Sequence, residues 1–310
     1  MKRCSVLFSF LSPRVHPRWR LFLLLVCLLI PAAGDSFLTE GGAVCSLPAE
    51  FGEVVYTCNE ASPKQLYIVG IRHADTLTGG PPGTRGVEAE VYEIGKWLVE
   101  NRGVGLVLPE GFLEESLRRP KDSRPPESSS ADGGPVHAES LLRRDLHVLL
   151  RQVEDERLYQ EVHSGIQRLS TCNDGLEERF IIRCELDYHQ QRRAGSMLQR
   201  VPDILEEEFQ GGRIRERKAL LTIGLSHLSR MIDHFSGGRV YIPPPLFTSV
   251  KYEGVTEELQ LTRHDFGVTV IVPRSLARDP EIIKKTGMGE KLEKARMKRA
   301  RGLPPRPAVG

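Results

Sequence analysis

Apolar residues fall along this chain in two kinds of stretch. Short, nearly unbroken runs such as Leu66-Tyr67-Ile68-Val69, Val104-Gly105-Leu106-Val107-Leu108, Ala219-Leu220-Leu221-Thr222-Ile223 and Phe266-Gly267-Val268-Thr269-Val270-Ile271-Val272 have the length of strands buried on both faces. Longer stretches between them carry apolar residues at helical spacing. In one of these, Val87, Val91, Ile94, Trp97 and Leu98 make a single face. The pattern predicts strands over 53–57, 65–71, 104–108, 218–223, 239–242 and 266–272. It predicts helices over 84–101, 137–164, 177–198 and 226–235, with a separate short helix over 203–209 beyond an interruption at Pro202. Strand 65–71, helix 84–101 and strand 104–108 have the length of a crossover unit, and strand 266–272 reads as central or nearly so. The expected fold is α/β, a single domain with a mixed central sheet flanked by helices; an α+β arrangement is the alternative.

The ends of the chain read differently. Residues 1–34 hold Lys2, Arg3, Arg14, Arg18 and Arg20, no acidic residue, the apolar run Leu21 to Ile30, and then Pro31-Ala32-Ala33-Gly34. Ten apolar residues are short for a membrane span, and small residues follow, so this segment reads as a secretory signal cleaved near Gly34. The expected location is secreted or in the cell envelope, periplasmic if the source is bacterial. Residues 35–63 read as an irregular lead-in, and 64–275 as the folded domain. Residues 116–136, rich in Pro, Ser and charge, read as a mobile insertion, and 276–310 as a basic, disordered tail offering peripheral membrane contact.

Charge and cysteines adjust this picture. The chain has 43 basic and 41 acidic residues. Without the five basic residues of 1–34 it has 38 against 41, which gives no reason to expect nucleic acid as a partner. Cys45, Cys58, Cys172 and Cys184 remain, an even number in an exported protein, so disulfides are expected. Cys45–Cys58 with Cys172–Cys184 is one of three pairings. A nucleotide is excluded as a partner: Gly80-Pro81-Pro82-Gly83-Thr84 starts like a phosphate loop, but Arg85-Gly86-Val87 supplies neither the lysine nor the magnesium-binding hydroxyl.

The candidate chemistry sits at strand ends. Gly70-Ile71-Arg72-His73 and Gly224-Leu225-Ser226-His227 each follow a strand, and Pro109-Glu110-Gly111 follows a third. Open sheets place functional side chains there. Two histidines and a carboxylate suit a divalent metal or an acid–base site, with His73, Glu110 and His227 as ligands or water activators. Ser226 is the expected N-cap of the helix bearing His227. Gly70 and Gly224 are expected to let the backbone turn and approach a ligand closely. His234 is a second-layer candidate, while His137, His147, His163 and His189 read as helix-surface residues.

The order of G-x-x-H, strand-end Glu, Arg-rich helix and second G-x-x-H resembles the Tiki/TraB superfamily, which includes ChaN-like haem-binding lipoproteins and erythromycin esterases. Ile223-Gly224-Leu225-Ser226-His227-Leu228, Val107-Leu108-Pro109-Glu110-Gly111 and Gln190-Gln191-Arg192-Arg193-Ala194-Gly195-Ser196-Met197 carry the likeness over about 64–275. The resemblance implies a metal-dependent hydrolase, a peptidase among the options, acting on a peptide or small molecule. Arg192 or Arg193 would orient the substrate. Its alternatives are a non-enzymatic binder of haem or another ligand, and a degenerate envelope interaction protein.

Overall fold

The computed structural model describes residues 47–72, 84–111, 137–173, 175–248 and 250–301. In chain order the elements are β1 (Gly52–Cys58), β2 (Gln65–Ile71), α1 (Thr84–Arg102), β3 (Leu106–Pro109), α2 (Ala138–Leu146), β4 (Leu149–Leu150), α3 (Glu156–Thr171), α4 (Leu176–Gln210), β5 (Lys218–Gly224) and α5 (Leu225–Gly237). They continue with β6 (Arg239–Ile242), β7 (Val255–Glu258), α6 (Gln260–Arg263), β8 (Gly267–Pro273), α7 (Arg274–Arg278), α8 (Pro280–Thr286) and α9 (Gly289–Ala300). Six strands form one mixed sheet in the order β1-β8-β2-β5-β3-β4. All neighbours are parallel except β1, which runs antiparallel to β8, and β6 with β7 makes a separate antiparallel ribbon.

The apolar runs lie where two covered faces demand them. β8 is buried at every position, and β2 and β5 at all but one terminal residue each, because helices close both sides of the sheet. Register separates the two sides. Partnered residues of parallel strands share a face, so Val69, Pro109 and Thr222 look one way, and Gly70 and Ile223 look the other. The Thr222 hydroxyl reaches Glu139 of α2, which assigns the first face to α1 and α2. A Cβ on Gly70 would lie 2.8 Å from Leu225 and from Leu228, which assigns the second face to α5. From β2 the chain crosses outward to β3, while from β5 it returns across β2 to β8. Adjacent strands whose connections leave in opposite directions open a crevice at their C-terminal ends, where Glu110 and Gly224 lie.

Several expectations need correction. The helix expected over 137–164 is two helices. His147, at φ 56°, ends α2 in the left-handed conformation, Leu149 and Leu150 then pair with β3, and Asp155 caps α3 by accepting from the Leu158 amide at 3.1 Å. Pro202 does not interrupt its helix: α4 runs unbroken for 35 residues. The proline denies the Leu198 carbonyl its donor, a defect of about 3 kcal/mol, but Val201, Pro202, Ile204 and Leu205 are all buried against the core and override it. The tail is ordered through residue 301. α7 buries Leu276 and Ala277, α9 buries Leu292, and Arg296 and Arg299 bind Glu53. Lys291 and Lys294 pair with Asp233 and Glu290, so much of the tail's positive charge is answered within the protein.

The pairing Cys172–Cys184 does not form: Cys58, Cys172 and Cys184 are free thiols. α3 and α4 are an antiparallel hairpin in which Gly165 lies beside Leu186. Cys172 sits at the end of α3, whereas Cys184, in the third turn of α4, lies opposite its middle, beyond disulfide reach. Cys45, the segment 1–34, the insertion 116–136 and His73 lie outside the described residues, as does 302–310. Among the described residues no helix is long and apolar enough to cross a membrane.

Candidate functional site

Glu110 is the first residue beyond β3. Its amide still bonds the Thr222 carbonyl at 2.9 Å, so its backbone is held as if it were strand. Its side chain, 2 % exposed, turns to the α5 face, where one carboxylate oxygen accepts from the Gly224 amide. The other oxygen lies 3.0 Å from Arg193 Nη2 and 3.5 Å from His227 Nε2. Gly224 is the N-cap of α5, with φ −51° and no side-chain cap, so Ser226 does not cap the helix and the Glu110 carboxylate serves an orphan N-terminal amide instead. His227 lies in the first turn of α5, as expected, and is nearly buried. Gly224 therefore matters for its amide and not for a left-handed turn. Gly70 is needed because the Leu225 and Leu228 side chains occupy the space a Cβ would take.

Of the two candidate arginines only Arg193 joins this group. It forms a two-pronged pair with Glu154, Nε to Oε2 at 2.8 Å and Nη2 to Oε1 at 2.7 Å, and its guanidinium lies 5.3 Å from the Tyr159 ring. Burial alone disfavours its charge, but its hydrogen bonds to Glu154 and the fields of Glu110 and Glu154 outweigh that and hold its pKa above the ordinary value. Glu154 also accepts from the Gly111 amide at 3.3 Å. Arg193, committed to two carboxylates and 8 % exposed, holds Glu110 in place. Arg192 points away, lying 3.8 Å from Glu161 and 5.7 Å from the Tyr188 ring. His234 accepts from the Tyr241 amide at 3.4 Å, which ties α5 to β6.

The donor set fits a metal ion. Imidazole and carboxylate are both ligands of divalent first-row ions. Two donors at about 2.1 Å from a tetrahedral centre lie roughly 3.4 Å apart, close to the 3.5 Å between His227 Nε2 and Glu110 Oε1.

A second polar group lies across the sheet. Among the described residues Glu88, His137 and Glu139 form a cluster of metal-ligand type, with ligand atoms all within 4.8 Å of one another. Glu139 accepts from the Thr222 hydroxyl and Glu88 from the Ala138 amide at 2.9 Å. Elsewhere an open cavity of about 410 Å³ lies between α3 and α4, lined by Arg157, Glu161, Arg168, Glu185 and His189 among others. His189 is not a bare surface residue: its Nδ1 lies 3.0 Å from Glu161 and its ring packs edge-on against Tyr252.

Compared with protein-family models, curated proteins and solved structures, the chain matches none of them. Its candidate site therefore stands on its geometry.

Sequence reasoning reached Glu110, Arg193 and His227 but missed Glu154, Glu139, Glu88 and His137. Glu154 lies in Val153-Glu154-Asp155-Glu156, where nothing separates a buried carboxylate from a capping one. His137-x-Glu139 directly before an apolar stretch was the available sign of the second group.

Proposed function

We propose that the protein is an exported hydrolase of peptides or other small molecules that works with a divalent metal at the C-terminal ends of its parallel strands. The observation that carries this reading is the approach of His227 Nε2 to Glu110 Oε1, 3.5 Å apart and drawn from opposite halves of the chain. Glu110 and His227 would hold the ion, with His73 as the third ligand that the sequence motif supplies. The bound ion would polarise the scissile carbonyl and make water acidic enough to attack near neutral pH. The likeness to the Tiki/TraB superfamily supports the same reading.

The chain's own groups divide the remaining work. Glu110 is buried, and with Oε2 accepting from the Gly224 amide its Oε1 is the oxygen that would face the ion beside His227. The Gly224 amide and Arg193 keep that carboxylate in one orientation, and Glu154 keeps Arg193 in place. Arg193 is thus a positioning residue. Loss of Glu110 is expected to cost far more in rate than loss of any surface carboxylate.

The experiment is hydrolysis of fluorogenic casein-derived peptides by the mature protein, with and without chelator, beside Glu110→Gln. Chelation is expected to abolish turnover, and Glu110→Gln to lower kcat by at least about 100-fold while the far-ultraviolet spectrum is unchanged. Turnover that survives both treatments would overturn the reading. Stoichiometric haem uptake with an intense visible band, and no hydrolysis, would favour the ligand-binding alternative.

A further inference from the structure

We propose that Glu88, His137 and Glu139 bind a divalent cation of their own, at a site separate from Glu110 and His227 and on the opposite face of the sheet. The proposal does not depend on the hydrolase reading, because no residue is shared between the two groups. Glu88 comes from the second turn of α1, while His137 and Glu139 come from the start of α2. Helix and helix start are packed together here, with Gly95 of α1 against Leu142 of α2.

Three observations point to an ion. The ligand atoms lie within 4.8 Å of one another, against the roughly 3.4 Å between neighbouring ligands of a tetrahedral ion with bonds of about 2.1 Å. His137 occupies the N-cap of α2, where Ser, Thr, Asp or Asn would serve the helix amides, yet its side chain makes no capping bond. Its ring is instead grouped with two carboxylates. Both carboxylates have their orientation set from outside, Glu139 by the Thr222 hydroxyl and Glu88 by the Ala138 amide, as metal-ligating carboxylates usually do. Two carboxylates and one imidazole suit a borderline ion such as Zn²⁺ or Mn²⁺ better than a soft one.

The site also has a consequence for its opposite number. Thr222 donates its hydroxyl to Glu139 on one face, and its carbonyl accepts the Glu110 amide at 2.9 Å. One β5 residue therefore connects the two groups, and an ion at Glu139 would stiffen the strand end on which Glu110 hangs.

The test uses the full mature chain, stripped with chelator, loaded separately with Zn²⁺ and with Mn²⁺, desalted, and measured by elemental analysis and thermal unfolding. His137 is exposed, so His137→Ala should leave the core intact, and Glu88→Gln is a second, nearly isosteric variant. Each variant is expected to retain one equivalent less than wild type for at least one of the ions, or to bind it at least about 10-fold more weakly. Each should also lose part of the metal-induced rise in melting temperature, while Glu110→Gln keeps this equivalent. If His137→Ala and Glu88→Gln both match wild type in equivalents and in melting response, the proposal is wrong. That result would leave the hydrolase reading intact, since that reading fails on Glu110→Gln.

Discussion

The two polar groups at the ends of the parallel strands solve the problem of buried carboxylates in different ways. On the α5 face, Glu110 and Glu154 share a guanidinium supplied by the chain itself, so the arrangement is set as soon as α4 packs on the sheet. On the α1–α2 face, Glu88 and Glu139 meet an imidazole, a group that carries charge only when protonated. A fixed internal cation gives rigidity. A set of potential ligands gives affinity for an external cation.

The largest expected effect comes from removing the internal cation. Arg193→Met leaves two buried carboxylates without their partner and is expected to destabilise the fold by about 3–5 kcal/mol, read by urea unfolding. Adding Glu154→Leu should restore part of that loss; a double variant as unstable as the sum of both would show that the pairing is not what matters. Next, Gly70→Ala forces a Cβ to within 2.8 Å of Leu225 and Leu228 and should cost about 1–3 kcal/mol. Gly86→Ala, which meets nothing within 4 Å, should be neutral or slightly stabilising. On the other face, Thr222→Val removes the donor to nearly buried Glu139 and should cost about 1–2 kcal/mol. A cost well below that would mean the hydroxyl does not set Glu139.

The smallest effect is a pH dependence. Burial lowers the pKa of His234 below the ordinary 6.5, with Asp233 acting against the shift and Arg230 with it. The folded state then binds fewer protons than the unfolded one, so stability is full above the ordinary value and falls as pH drops from it toward the depressed folded value. Melting curves between pH 7.5 and about 5 should show a smaller decline for His234→Gln than for wild type.

The fold was legible where one physical rule acted alone. β2, β5 and β8 follow from apolar runs that only a doubly covered sheet can hide, and α1 from the spacing of Val87, Val91, Ile94 and Leu98. Legibility failed where local and tertiary terms compete. Pro202 signals a break that packing overrides, and His147 ends α2 in a conformation no sequence rule assigns to it. The tail reads as solvated until Glu53 and Asp233 are seen to neutralise it. The site followed the same division. Glu110 and His227 stand beside strand ends and can be found from the chain, whereas Glu154 and Glu139 gain their meaning from Arg193 and Thr222, which only folding brings near.

Elemental analysis of the purified protein beside Glu110→Gln and His227→Ala decides whether Glu110 and His227 hold a divalent ion at the strand ends. Each variant is expected to carry one metal equivalent less than wild type. Full retention of metal by both variants would contradict it.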